Sequence, residues 1–315
     1  MKNGLSVHVR GSWKYVFLLA ACVVLSGTYL AAQTIPSDYQ SVLTYLNRTG
    51  DFSANVLKVN IPRNDVQISI AGIATPTPFG FGGWVAMTHG EGGNDVLMGD
   101  LVLLEDEVNP VMSALLDNGL EVTALHNHFF WDQPAMFFMH VHGYGKTSDL
   151  PHRLKPALDL IGHVGQIPAP NSSAVPIEGK LDTDKIAQIV GHKGDQTGAV
   201  YKITLGRDDL TVKEHGAIIN ARMGLNTWAA FYGSAGNAVI AGDVAMLESE
   251  VTPVVRALRK NGLDVVAIHH HITGESPMII FLHYWGKGPA EKLATGFKSA
   301  VDELGKPQPA REMKH

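Results

Sequence analysis

Cysteine is nearly absent from this chain of 315 residues, since the only one is Cys22. One cysteine cannot form an internal disulfide, so any metal site in the folded part must use His, Asp or Glu side chains. Charge is also sparse: 17% of the residues are charged, the formal net charge is −5, and no long basic run occurs. Proteins that bind nucleic acids carry clustered Lys and Arg, so we expect no nucleic-acid partner.

The one long hydrophobic run, near the N-terminus, is too short to predict a membrane span. Basic residues precede the apolar stretch YVFLLAACVVLSGTYL, and small residues follow it. This order is typical of a signal peptide, whereas a spanning helix needs about 20 apolar residues. We therefore predict a signal peptide over residues 1–33, a periplasmic or secreted protein, and no membrane span in the mature chain. An uncleaved anchor and a lipid anchor at Cys22, within LAAC, remain as alternatives.

The rest of the chain is a tandem repeat. GDLVLLEDEVNPVMSALLDNGLEVTALHNH, from Gly99, aligns without a gap on GDVAMLESEVTPVVRALRKNGLDVVAIHHH, from Gly242. With the residues that follow, roughly 20 of about 45 positions are identical, far above chance for a duplicated unit. We divide the chain into a first repeat (37–161), a Pro/Ser/Gly-rich linker (162–181), a second repeat (182–305) and a frayed tail (306–315).

Each repeat mixes helices with antiparallel strands, which predicts an α+β fold. In the first repeat we expect a short helix within SDYQSVLTYLNRTG (37–50), with Gly50 after its end, and strands near 56–60, 66–70, 84–87 and 95–104. A second helix is expected over 109–117, followed by a hairpin formed by LEVTALHNHFF and AMFFMHVHG, and a last helix over 149–160. Asn109 fits an N-cap before Pro110, although Val108 also fits the apolar stripe and would start the helix a turn earlier. We expect the two repeats to pack with pseudo-two-fold symmetry.

Histidines recur at matching positions of the two hairpins. Alternate residues of a strand share a face, so His126 and His128 lie together. A five-residue loop would put His126 opposite His140 and bring His142 to the same face. The second repeat offers His269, His271 and His283, with Trp285 in place of His142. We expect each repeat to gather its own imidazoles into one compact group.

Several imidazoles in one place are a natural ligand set for a divalent transition metal, zinc first and copper as the alternative. An open coordination position would let a bound water ionise near neutral pH and hydrolyse a substrate. Glu107 and Glu250 recur at the strand-to-helix junctions and are our candidates for the general base, a fourth ligand or an orienting partner. Asp100 and Asp243 also recur and, after a glycine, are interpreted as turn residues. Trp84 and Trp228 are interpreted as core residues.

The main alternative is a non-catalytic envelope module that binds a small molecule or an envelope component. The histidines and glutamates would then form a hydrogen-bonded network between the repeats. Whether the protein is an enzyme, and how many chains assemble, stay open.

The doubled pattern GD…E.EV.P…AL..NG..V.A.H.H……P……H..G resembles the LppY/LpqO family of exported bacterial proteins, a family of unknown function. The resemblance covers both repeats. It implies an exported and often lipid-anchored protein with paired histidines at His126/His128 and His269/His271. It implies no activity.

Overall fold

Two six-stranded antiparallel sheets, one from each repeat, pack against each other, and helices cover the outer face of each sheet. The computed structural model describes Met1 and residues 33–306. The predicted signal peptide, Cys22 and all but the first residue of the predicted tail lie outside the described residues. Residues 33–306 belong to one compact unit.

The elements of the two repeats follow the same order. The first repeat contains α1 (Ser37–Leu46), β1 (Asp51–Ser53), β2 (Val56–Pro62), β3 (Ile68–Ile70), β4 (Ile73–Thr75), β5 (Gly82–His89), β6 (Asp95–Leu104), α2 (Glu105–Asp117), β7 (Glu121–His126), β8 (Asp132–Gln133), β9 (Met136–Gly145) and α3 (Leu150–Leu158). The second contains α4 (Thr183–Val190), β10 (Asp195–Thr197), β11 (Val200–Gly206), β12 (Val212–Glu214), β13 (Ala217–Ile219), β14 (Asn226–Gly233), β15 (Ala238–Met246), α5 (Glu248–Lys260), β16 (Asp264–His269), β17 (Ile280–Gly288) and α6 (Ala290–Val301).

The sheets have equivalent topologies. The strand order is β1-β2-β5-β6-β9-β7 in the first repeat and β10-β11-β14-β15-β17-β16 in the second. The central strands β6 and β15 are almost entirely buried because one face meets helices and the other meets the partner sheet. Their near-continuous apolar sequences reflect burial on both faces. The prediction of two α+β repeats with antiparallel sheets is confirmed.

Four apolar clusters hold the layers together. Two of them lie within single repeats, between a sheet and its own helices. The other two mix side chains of both repeats: Phe138 and Val102 share one with Tyr232, and Met98 shares the other with Phe281. The inner faces of the two sheets therefore form a common core. Among the described residues, no helix has the length and apolarity needed to cross a bilayer.

Helices α2 and α5 begin earlier than the N-cap prediction. The helices start at Glu105 and Glu248, so Asn109 and Pro110 lie inside α2 rather than at its start. Glu107 accepts a hydrogen bond from the Leu104 N–H group at 2.7 Å, which satisfies a donor at the new N-terminus. The alternative start, one turn earlier, is the one that the structure shows.

The histidine hairpin has a different register from the predicted one. His126 lies opposite Phe138, and His140 lies opposite Ala124. The cause is the length of the loop: β7 ends at His126 and β9 begins at Met136, so more than five residues connect them. The shift amounts to two residues, so His126 and His140 still point to the same face of the sheet.

Candidate metal centre between the repeats

Six histidines meet where the inner faces of the two sheets pack. We call them the histidine cluster: His126, His128, His140, His269, His271 and His283. His140 and His283 lie within the inner strands β9 and β17, and His126 and His269 are the last residues of the edge strands β7 and β16. His128 and His271 follow two residues later, where their rings stack on Phe138 and Phe281 at 3.4 and 3.3 Å between centroids.

Within the cluster, histidine rings of one repeat lie next to histidine rings of the other. The three shortest distances between ring centroids within it all join different repeats: His126 to His269 at 3.7 Å, His128 to His283 at 3.6 Å, and His140 to His271 at 3.9 Å. Neighbouring rings of the same repeat are 4.9 to 5.2 Å apart. The expectation that each repeat builds its own group is therefore wrong in this respect, because the packing of the sheets merges both sets into one.

Three groups within this region have ligand atoms close enough to hold one ion. In each group these atoms lie within 4.8 Å of one another: His126/His269/His283, His140/His269/His271, and Asp243/His271/His283. Every group that contains three histidines takes them from both repeats. Among the described residues, the set His126, His128 and His140 expected from the sequence does not form such a group.

The buried ring nitrogens are largely without hydrogen-bond partners among the described protein atoms. Both nitrogens of His126, His128 and His271 lack one, as do Nδ1 of His269 and Nε2 of His283. An unpaired buried polar atom costs free energy. Such a concentration of unpaired ring nitrogens is unusual in a structural core, and a bound metal ion would satisfy the acceptor nitrogen of each ring that binds it.

Burial also keeps these imidazoles in the form that binds metals. It lowers the pKa of His126 to about 4, and it holds the pKa values of His140 and His283 well below the ordinary value. Neighbouring histidines add to this effect, since two imidazolium charges would repel each other. At neutral pH the rings are therefore uncharged, as metal ligands must be.

A backbone contact orients one of the rings. Nδ1 of His283 lies 3.3 Å from the Gly242 carbonyl oxygen. A hydrogen bond at Nδ1 leaves Nε2 free for a metal, which is the usual arrangement behind a ligating histidine. Nε2 of His140 lies 3.3 Å from Nε2 of His269. Two nitrogens bound to one tetrahedral zinc, at about 2.0–2.1 Å each, are separated by about 3.3–3.4 Å.

His142 lies apart from the histidine cluster. Its Nε2 is 2.9 Å from Oε1 of Glu214 in the second repeat, and its Nδ1 is 3.4 Å from Oε2 of Glu121. Burial alone would lower the pKa of His142, but the two glutamates outweigh burial and raise it. These contacts favour the imidazolium form, which cannot bind a metal, so the structure does not bring His142 into the predicted ligand set.

The two glutamates predicted to be catalytic are instead bound by arginine side chains and backbone N–H groups. Glu107 is fully buried and accepts hydrogen bonds from Arg63, at 2.5 and 3.1 Å, and from the Gly162 N–H group at 2.6 Å. Glu250 has the same contacts with Arg207 and Gly305. Neither carboxylate belongs to a ligand group or lines the central cavity of the described region. The contacts therefore give no support to a role as general base.

A cavity of about 440 Å³ opens beside the histidine cluster. His128, His271 and His283 border it, together with Asp243, so the third ligand group faces this space. The other lining residues come largely in equivalent pairs from the two repeats: Lys58 and Lys202, Asn60 and Thr204, Gly82 and Asn226, Trp84 and Trp228, Asp100 and Asp243. The cavity is therefore lined by equivalent positions of the two repeats. Its volume suits a small organic molecule.

Several of these lining residues were not recognised as site residues from the sequence. Asp100 lies in the middle of β6, paired with Trp84 and His140, and not at a turn. Trp84 is only half-buried, and its ring edge fills the space in front of Gly224, where a Cβ atom would be 3.0 Å away. The sequence did contain one indication of their role, because Lys58, Trp84 and Asp100 recur in the second repeat. Recurrence alone does not separate binding-site residues from core residues, since both kinds are kept in a duplicated unit.

Comparison with known proteins identifies a family and leaves the function open. A family model described as Domain of Unknown Function (DUF1259) matches residues 40–160 and 184–303. No curated protein matches the chain. Two solved structures show a distant likeness: a trimeric bacterial microcompartment shell protein, PduB (11% identity, 78% of this chain and 86% of that chain, TM-score 0.18), and EtuB from Clostridium kluyveri (9%, 81% and 90%, TM-score 0.19). TM-scores this low support no argument about this chain.

Proposed function

This chain belongs to the DUF1259 family, with two tandem copies of its domain, and from that premise we propose that the protein binds a divalent transition metal in the histidine cluster between the copies. One observation carries the proposal: neutral imidazoles from both repeats converge with unpaired ring nitrogens, and five of the six belong to groups whose ligand atoms are close enough to hold one ion. Zinc suits such a nitrogen-rich set best, and copper is the alternative.

A hydrogen-bonded histidine network, the rival interpretation, has less support. Such a network would pair the ring nitrogens with each other and with glutamates. Within the cluster only His140 and His269 are hydrogen-bonded to each other, and Glu107 and Glu250 are bound to arginines. The unpaired nitrogens therefore favour a ligand over a network.

His269 provides the sharpest test because it is the one histidine shared by both of the all-histidine ligand groups found among the described residues. The chain should be purified without a histidine tag, and its zinc and copper content measured by elemental analysis and by titration of the metal-free form. We expect stoichiometric zinc in the parent chain and a loss of affinity of at least about 100-fold in His269→Ala.

His270→Ala is the matched control, since His270 is the next residue but belongs to no ligand group. It should bind metal like the parent chain. A parent chain that takes up neither zinc nor copper, while His269→Ala only loses stability, would contradict the proposal and favour the network.

A hydrolytic activity is the second candidate. The observation in its favour is that the group Asp243/His271/His283 borders the cavity, where a metal would be accessible to a substrate. A metal there would supply Lewis acidity and an acidified water. The test is hydrolysis of ester and phosphoester substrates by the zinc-loaded chain, compared with Asp243→Asn.

We further propose that the protein works in the cell envelope, in line with the export predicted from residues 1–33. A molecule or surface component of the envelope would then be its partner. Cell fractionation with intact-mass measurement of the mature chain tests this proposal, because cleavage near residue 33 and lipidation of Cys22 give different masses.

A further inference from the structure

Two lysines face the central cavity without an anionic partner. Lys58 lies on β2 and Lys202 at the equivalent position of β11, and both line the cavity. Within the described residues, neither ammonium group has a carboxylate within salt-bridge distance or an assigned hydrogen bond, and each lies over a tryptophan ring instead. Lys58 Nζ is 4.3 Å from the Trp84 ring centroid, and Lys202 Nζ is 3.9 Å from that of Trp228.

This arrangement holds two positive charges close together. Burial lowers the pKa of both lysines to about 8, and for Lys58 the charge of Lys202 contributes further. Neither of the carboxyl groups that line the cavity, Asp100 and Asp243, lies within salt-bridge distance of these ammonium groups in the described region. Stacking on aromatic rings replaces only part of the hydration that the ammonium groups lose. A ligand of opposite charge would relieve both the repulsion and the desolvation.

We propose that the cavity binds a small dianion, a molecule carrying a phosphate or two carboxylates, held between Lys58 and Lys202. Each repeat contributes one lysine from an equivalent strand, so one doubly charged ligand meets two equivalent cations. Asn60 and Thr204, which line the cavity on the same strands, add neutral hydrogen-bonding groups. A volume of about 440 Å³ leaves room for an organic body beyond the anionic group.

The same cavity is bordered by His128, His271 and His283. A dianion bound between the lysines would therefore lie beside the metal, and this part of the inference rests on the proposed function. The lysine site itself needs no metal. The test of anion binding and the test of metal binding can therefore give different results.

Calorimetric titration at low salt tests the lysine site, with inorganic phosphate and malonate as probes and the chain both metal-free and zinc-loaded. We expect saturable binding of at least one probe at one site per chain. In Lys58→Met/Lys202→Met the affinity should fall at least about tenfold, since charge-assisted hydrogen bonds are lost. Lys193→Met/Lys292→Met removes the same charge from exposed positions and should bind like the parent chain.

A measurement on the parent chain avoids any folding defect of the variants. Acetylation with limiting acetic anhydride, read by peptide mass spectrometry, should modify Lys58 and Lys202 more slowly when the bound probe is present. Lys193 and Lys292 should react at an unchanged rate.

The outcomes separate the possibilities. Binding of phosphate alone identifies a phosphate-bearing ligand, and binding of malonate alone identifies a dicarboxylate. No saturable binding of either probe, or equal protection of all four lysines, would overturn the inference. Metal binding without anion binding leaves the proposed function standing, and anion binding without metal binding leaves only the lysine site.

Discussion

Replacing Glu107 by Gln should strongly destabilise the protein, although the two side chains have nearly the same shape. Both oxygens of Glu107 accept hydrogen bonds only from donors: Oε2 from Arg63 and the Leu104 N–H group, and Oε1 from Arg63 and the Gly162 N–H group. The amide group of Gln is itself a donor, so it would face donors whichever way it is turned. Arg63, only 1% exposed, would also lose its fully buried counter-charge and keep only the partly exposed Asp65.

Breaking a buried ion pair from one side costs about 3–5 kcal/mol. With a urea dependence of about 3 kcal/mol per M, the midpoint of unfolding should fall by about 1–2 M. Equilibrium urea unfolding followed by far-UV circular dichroism measures this shift. Glu250→Gln should behave alike, because Arg207 and Gly305 repeat the same contacts.

Asp106→Asn is the matched control, since Asp106 is the preceding residue of α2 and is exposed. Its free energy of unfolding should stay within about 0.5 kcal/mol of the parent value. A Glu107→Gln variant as stable as the parent chain, yet defective in metal-dependent chemistry, would refute the structural role and restore the general-base hypothesis.

Two further predictions concern the cluster and the acid stability. Phe281→Leu removes the ring that stacks on His271 at 3.3 Å, and zinc titration should show an affinity about tenfold lower, because the ring no longer orients His271, a member of two ligand groups. The hydrogen bond from Arg207 lowers the pKa of Asp209, so Asp209 stabilises the fold above about pH 4 and loses this effect as the pH falls through its folded-state pKa. Asp209→Asn should therefore lower the urea midpoint at pH 6 and make little difference in strongly acidic buffer; an equal shift at both would contradict this account.

Much of the fold could be predicted because its signals are local or repeated. The run DVLMGDLVLL forms β6 over the predicted residues, and the short N-terminal helix ends at Leu46, close to the predicted end. The start of α2 is ambiguous in the sequence, because Asn109 and Pro110 resemble an N-cap and a first helical residue. In the structure the helix begins at Glu105, and the Glu107 side chain accepts a hydrogen bond from the Leu104 N–H group. Only hydrogen bonds that form in the folded protein decide between two such possible helix starts.

The sequence predicted most of the histidines of the candidate site, but not how they are arranged in space. The alternation of side chains along a strand correctly indicated that His126 and His140 share a face, even though the longer loop shifted their register by two residues. Nothing local distinguished Glu107 from a catalytic base, because its partner Arg63 lies 44 residues away. The same holds for His142, whose partner Glu214 belongs to the other repeat.

By itself, the sequence determined that two similar units exist, which elements each contains, and which polar residues recur in both. These features can be read from the sequence because they depend on the order and spacing of residues along the chain. Only the tertiary structure decided that the histidines of both units form one cluster and that Lys58 and Lys202 share one cavity. The physical reason is that these contacts join residues more than 100 positions apart, and they depend on how two sheets bury their inner faces against each other.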